Sequence, residues 1–205
     1  MAGARYRAKD GRRVPRVSTI LGTLGFGGDG FDAGLRWALK HDDPNSVGRR
    51  ARDTGTIAHA YLQRYVVNRR DPTKEERAEI QSEFWQAFED RSVVANARRC
   101  YVALRDHIAT LEIDETIASE VMLVSEEHGF GGTPDLVVRL KDGRHMLVDF
   151  KTTAGPFKAA SNRYLHQLAA YRQLVLEGLG VSVDAARLLV ADYGGEGGAV
   201  CHVVE

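Results

Sequence analysis

The chain has 205 residues, 43% of them hydrophobic, and its 28 basic and 28 acidic side chains leave no net charge. This length suits one globular domain with a substantial core. The charge balance excludes a strongly basic protein that grips a polyanion tightly. No apolar run could span a membrane, and the opening Met1-Ala2-Gly3-Ala4-Arg5-Tyr6 lacks an apolar signal core. The expected location is cytoplasmic, with no membrane association. Cys100 and Cys201 are the only cysteines; they are far apart, lack CxxC spacing, and form no expected disulfide in a reducing compartment.

Taken in chain order, residues 1–16 read as a basic tail with Arg5, Arg7, Lys9, Arg12, Arg13 and Arg16 against Asp10. Val14 to Leu21 opens a short helix with Ser18 as a candidate N-cap. Gly25 to Gly30 is a glycine-rich loop; without a P-loop lysine or a preceding strand, nucleotide binding is not expected. A helix near 31–41 carries Arg36 and Trp37. A helix over 53–67 has the apolar arc Ala58, Leu62, Tyr65 and Val66, with His59 at its edge. Residues 73–109 predict one or two charged amphipathic helices containing Trp85. Thr116 to Val124 predicts the first core strand, with Glu120 inside it, and strands follow near 133 and 145. Glu126, Glu127 and His128 read as turn residues. Residues 158–177 predict a helix ending at Gly178. Strands over 186–192 and 199–204 flank a glycine-rich turn, Tyr193 to Gly198. Helices come first and strands later. The expected fold is α/β, a mixed central sheet flanked by helices. Within one domain, the basic tail precedes a mainly helical part (17–112) and a β-rich core (113–205).

The stretch from 131 to 151 holds the most chemistry. Leu136–Leu140 and His145–Phe150 are β-rich runs around Lys141-Asp142-Gly143-Arg144. A two-residue Asp142-Gly143 turn would pair Asp135 with Phe150 and put Asp135 and Asp149 on opposite faces. A three-residue loop with Gly143 left-handed would pair Leu140 with Arg144 and set Asp135 opposite Asp149. Lys151 then shares their face, and Leu136, Val138, Met146, Val148 and Phe150 form a continuous apolar surface on the other. A one-residue slip would reverse every side chain, so this pattern favours the three-residue loop. Two carboxylates so close repel unless a cation lies between them, and their oxygens suit Mg²⁺ or Mn²⁺. Such a metal would polarise a phosphate oxygen and acidify a bound water. Lys151 would hold that water and offset charge in the transition state. The alternative is a surface hairpin with a solvated Asp–Lys pair.

Gly132-Thr133-Pro134-Asp135 followed by Asp149-Phe150-Lys151-Thr152 resembles the PD-(D/E)XK nuclease superfamily, and within it the RecB-like exonuclease branch. Gly55-Thr56-Ile57-Ala58-His59 resembles that branch's Gly-x-x-x-His motif, and Gln167 to Tyr171 its Gln-x-x-x-Tyr motif. The resemblance runs over residues 15 to 192 and implies a restriction-endonuclease-like core that cleaves DNA with a divalent metal. It implies that His59, Asp135, Asp149 and the Phe150 carbonyl bind the metal. Glu120 could serve a second metal or a metal-bound water. Gln167 and Tyr171 would orient Lys151 or contact the DNA backbone. Tyr164 shares their helix face, where a hydroxyl at the rim of a docked helix is the plainer reading. Some RecB-like nucleases hold a four-cysteine iron–sulfur cluster, which two cysteines cannot build.

Arg49, Arg50 and Arg52 precede the His59 helix, and Arg69 and Arg70 follow it. With the basic tail they could form a phosphate-binding rim of modest, salt-sensitive strength. The expectation is therefore a Mg²⁺- or Mn²⁺-dependent DNA exonuclease for processing, recombination or repair. The N-terminal segment is similar to that of phage-type members. With no motor in the chain, a helicase or recombinase partner could supply unwinding. A structure-specific or restriction-type endonuclease and a non-catalytic DNA-binding subunit remain open. The oligomeric state is not legible in the sequence.

Overall fold

The structure is a computed structural model that describes residues 6–23, 43–155, 157, 162–195 and 198–205. Elements are numbered among those residues. The expected helix near 31–41 and the Gly25–Gly30 loop lie outside them.

Five strands form a mixed sheet in the order β1 (Ile113–Ser119), β4 (Leu136–Leu140), β5 (His145–Thr153), β6 (Ala185–Asp192) and β7 (Val200–Val204). Only β5 and β6 run parallel; the other neighbours are antiparallel. A parallel pair needs a crossover, and α6 (Asn162–Leu179) lies within this one. Two short strands, β2 (Leu123–Ser125) and β3 (Phe130–Gly132), pair separately. The expected mixed α/β sheet flanked by helices is observed.

The β4–β5 register is the one the apolar pattern favours. Leu136 faces Val148 and Val138 faces Met146. The amide of Leu140 donates to the Arg144 carbonyl at 2.8 Å. Gly143 has φ +89°, so the loop is Lys141–Gly143 with its glycine left-handed. This parity sorts the sheet's two faces. Leu136, Val138, Met146, Val148 and Phe150 pack with Ile57 and Leu62 of α2 (Pro44–Asn68) and Leu104 of α5 (Arg91–Thr110). Val137, Leu147, Leu188 and Val190 pack with Leu168, Leu174 and Val175 of α6 and with Val17 and Leu21 of α1 (Val17–Thr23). Both faces are covered, which explains why the central strands read as near-continuous apolar runs.

Several boundaries differ from expectation. α2 starts at Pro44 because Asp43 caps it, accepting from the Ser46 amide at 3.0 Å. The segment after it holds three helices: α3 (Lys74–Glu83), opened by a Thr73–Glu76 capping box, α4 (Trp85–Phe88), and α5, capped by Asp90. α6 ends before Gly180 (φ +68°), not at Gly178. Gly178 instead touches β2: a Cβ there would lie 2.8 Å from Leu123 Cδ2. α1 begins at Val17, which puts Ser18 in its first turn and not at the cap. The described part of the basic tail is folded. Arg7 and Arg13 bridge antiparallel, and Tyr6, Ala8 and Val14 bury themselves against Val124.

Candidate active site

Asp135 stands just ahead of β4 and Asp149 lies within β5; both are buried. Asp135 Oδ2 accepts from the Phe150 amide at 2.6 Å. Asp149 Oδ2 accepts from the Lys151 ammonium, while its Oδ1 is buried without a hydrogen-bond partner. Lys151 also donates to the Phe150 carbonyl at 3.2 Å and lies 5.8 Å from the centre of the Tyr164 ring.

α2 brings His59 to this end of the sheet. Its Nδ1 is 3.5 Å from Glu120 Oε1 and 3.7 Å from Asp135 Oδ1. Its ring meets Phe150 edge-on at 5.9 Å. Glu120 reaches His59 by a route the sequence pattern does not predict. The expected strand over 116–124 breaks: β1 stops at Ser119 and Glu120 takes φ +52°. The Glu120 amide and the Ser119 hydroxyl both donate to the Asp135 carbonyl, at 3.1 and 3.3 Å. A non-glycine residue held left-handed is strained, and such strain persists where surrounding contacts impose it.

The electrostatics follow from burial. Desolvation raises the Asp149 pKa to about 6, with Asp135 adding to the rise and Lys151 opposing it. For Lys151, burial is outweighed by Asp149 and Asp135, and its pKa rises. Burial disfavours the His59 cation, but the carboxylates of Asp135 and Glu120 more than offset this, and its pKa also rises. The Tyr171 hydroxyl is pushed up by burial and by Asp149.

The glycines of the local motifs have steric explanations. A Cβ on Gly132 would lie 2.6 Å from Tyr171 Cε1 and 2.8 Å from Leu174 Cδ1. A Cβ on Gly55 would lie 3.1 Å from Thr152 Oγ1. Thr133 Oγ1 pairs with the Tyr6 hydroxyl at 2.7 Å, tying the N-terminal hairpin to this loop.

The donor set differs in part from the expected one. One ligand atom each from His59, Glu120 and Asp135 lies within 4.8 Å of the others. Asp149 stands outside that group, held by Lys151, and the Phe150 carbonyl accepts from the same ammonium. Imidazole and carboxylate ligands together with the orphaned Asp149 Oδ1 fit a divalent cation. Gln167 Nε2 donates to the Tyr171 hydroxyl at 2.8 Å. Among the described residues neither hydrogen-bonds Lys151; Tyr171 meets that ammonium electrostatically, and the Tyr164 ring lies beside it. A cavity of about 510 Å³ opens over this cluster and is lined by His59, Glu120, Phe150 and Lys151. Arg52, Gln63 and Phe84 also line it; Gln63 and Phe84 belong to none of the four motifs. Arg52 belongs to the expected phosphate-binding rim; the signal for Gln63 is weak, four residues after His59 on one helix. Several arginines of the expected rim are committed elsewhere. Arg12 pairs with Asp10, Arg50 with Asp90 and Arg70 with Glu76, and Arg69 donates to the Ile113 carbonyl.

The family model of the PD-(D/E)XK nuclease superfamily matches residues 32–198. The chain belongs to the PD-(D/E)XK nuclease superfamily. Nucleases of this superfamily use divalent metals, in keeping with the carboxylate and histidine cluster. A search of curated proteins finds no match. Among solved structures, one titled "Crystal structure of SSO0001" is similar, at 11% identity and a TM-score of 0.37 over 73% of this chain. The match covers 65% of that chain's length, just under two thirds. No described helix of this PD-(D/E)XK protein is long and apolar enough to cross a membrane.

Proposed function

We propose that this PD-(D/E)XK protein is a Mg²⁺- or Mn²⁺-dependent deoxyribonuclease of the RecB-like branch, acting as an exonuclease in DNA processing, recombination or repair. The observation that carries the reading is the grouping of His59, Glu120 and Asp135, with the unpartnered Asp149 Oδ1 and a lysine ammonium on the adjoining strand, beside a cavity that His59, Glu120 and Lys151 line. The branch assignment is supported by two juxtapositions: Gly55-x-x-x-His59 delivers its histidine to Asp135, and Gln167 pairs with Tyr171 across one helical turn.

His59, Glu120, Asp135 and Asp149 would hold the metal, which when bound supplies charge neutralisation at the phosphate and acidification of water. The Lys151 pKa is raised, so its ammonium stays protonated at neutral pH. It is therefore a poor general base and a good donor. It orients the attacking water and offsets the negative charge that grows on the phosphate oxygens. Asp149 fixes that ammonium, and Phe150 contributes its carbonyl to the same task. The Phe150 amide holds one Asp135 oxygen and leaves the other toward His59. A helicase or recombinase partner would supply unwinding, in the cytoplasm of a bacterial or phage-infected cell.

The deciding experiment compares end-labelled linear DNA with covalently closed circles, in Mg²⁺ or Mn²⁺, for wild type and Lys151→Ala. Degradation of linear DNA alone, abolished by the substitution, is the expected result. Nicked circles would replace the exonuclease by an endonuclease, and wild type inert with every metal would overturn the catalytic reading.

A further inference from the structure

The cavity has a part that hydrolysis does not use. Arg52, Gln63 and Phe84 line it together with His59, Glu120 and Lys151. Arg52 precedes His59 by seven residues on α2, two turns along one face and about 10 Å along the axis. Two other arginines of that helix are ion-paired, Arg50 with Asp90 and Arg64 with Glu79. Arg52 makes no ion pair or hydrogen bond among the described residues. Phe84, between α3 and α4, is half-buried, and the next residue, Trp85, is 57% exposed. An aromatic wall, an amide and a cation, with the exposed carboxylate of Glu83 beside Phe84 in sequence, thus share one cavity with His59 and Glu120 of the proposed metal site.

This combination matches one nucleotide better than a duplex. A guanidinium free of carboxylates is a phosphate ligand. An aromatic side chain receives a base only when that base is out of the double-helical stack. The volume, about 510 Å³, lies in the range of small-ligand pockets and is far too small to enclose a duplex. We infer that Arg52, Gln63 and Phe84 form a subsite for an unpaired nucleotide next to the scissile phosphate, and that the substrate strand is single-stranded DNA. Arg52 holds the adjoining phosphate, Phe84 stacks on the base, and Gln63 hydrogen-bonds its edge. The inference rests on the nuclease reading for the identity of the neighbouring phosphate.

Binding without cleavage tests it. Anisotropy of short labelled oligonucleotides is measured with metal-free Asp149→Asn protein, alone and with Phe84→Leu, Phe84→Trp or Arg52→Gln added. The expected result is tighter binding of single strands than of duplex. Phe84→Leu weakens single-strand binding about tenfold and duplex binding less than twofold, and Phe84→Trp restores it. Arg52→Gln lowers the salt dependence of single-strand binding by about one charge. Equal affinity for duplex, or equal losses on both substrates with Phe84→Leu, overturns the subsite. Should Phe84→Leu lower the melting temperature, the exposed Arg52→Gln position carries the test, and an unchanged salt slope overturns it. Single-strand binding that depends on Phe84 in a protein that cleaves nothing keeps the subsite and removes the nuclease reading. Cleavage with binding indifferent to both substitutions does the reverse.

Discussion

The Phe150 amide donates to Asp135 Oδ2 at 2.6 Å, across the open end of the β4–β5 hairpin. The bond makes a strand amide the anchor of a candidate metal ligand. It also joins the two motifs: Asp135 belongs to one and Phe150 to the other. One carboxylate oxygen is thus held by backbone, while the other faces the His59 ring.

Protons and metal compete for this site. The pKa of Asp149 is raised to about 6, chiefly by burial, and that of His59 is raised as well. Each group binds protons more tightly folded than unfolded. Each therefore adds stability to the metal-free protein at low pH and loses it as pH rises, Asp149 between about 4 and 6. A metal needs both deprotonated. The rise in melting temperature on adding Mn²⁺ is expected to be larger at pH 7.5 than at pH 5.5. Without metal, the wild type should lose stability relative to Asp149→Asn as pH climbs through that window. A Mn²⁺ effect independent of pH would contradict the ligand assignment.

Glu120 trades stability for position. Its φ of +52° costs roughly 1–2 kcal/mol that glycine does not incur. Glu120→Gly should therefore raise unfolding stability by about 1 kcal/mol in urea titration while weakening Mn²⁺ binding at least tenfold by calorimetry. A variant that is less stable and binds metal normally would show that Glu120 serves the fold alone.

Gly132 is a contact residue between β3 and α6. Gly132→Ala puts a methyl 2.6 Å from Tyr171 Cε1, and the ring or the strand must move. Overpacking of this kind costs about 1–3 kcal/mol. The expected outcome is a lower melting temperature together with reduced cleavage, because Tyr171 carries the hydrogen bond from Gln167. Unaltered stability would mean that α6 tolerates the shift.

Tyr164 is expected to position Lys151. The ammonium lies 5.8 Å from its ring centre, a cation–π contact of about 0.5–2 kcal/mol. Tyr164→Leu should lower kcat about tenfold with KM little changed, and Tyr164→Phe should retain most of the rate because the ring face remains. If Phe is as damaging as Leu, the hydroxyl is what matters and the ring contact is incidental.

The hairpin was legible because its apolar parity admits one register: only a loop closed by Gly143 sends Leu136, Val138, Met146, Val148 and Phe150 to one face. The His59 helix and the Gln167 helix were legible from spacing alone. The break at Glu120 was not. Ile117, Val121 and Leu123 read as one strand, and the competing bonds from Ser119 and Glu120 reach the Asp135 carbonyl, 16 and 15 positions away.

By itself the sequence determined the mixed α/β fold and which side chains share a strand face or a helix face, because those follow from periods of two and 3.6 residues. Tertiary structure decided which faces meet. Only packing the helices against the sheet brings His59 to Asp135 and Glu120 and sets Arg52 and Phe84 in one cavity with Lys151. These contacts join residues far apart in the chain, and no local periodicity encodes the distance between them.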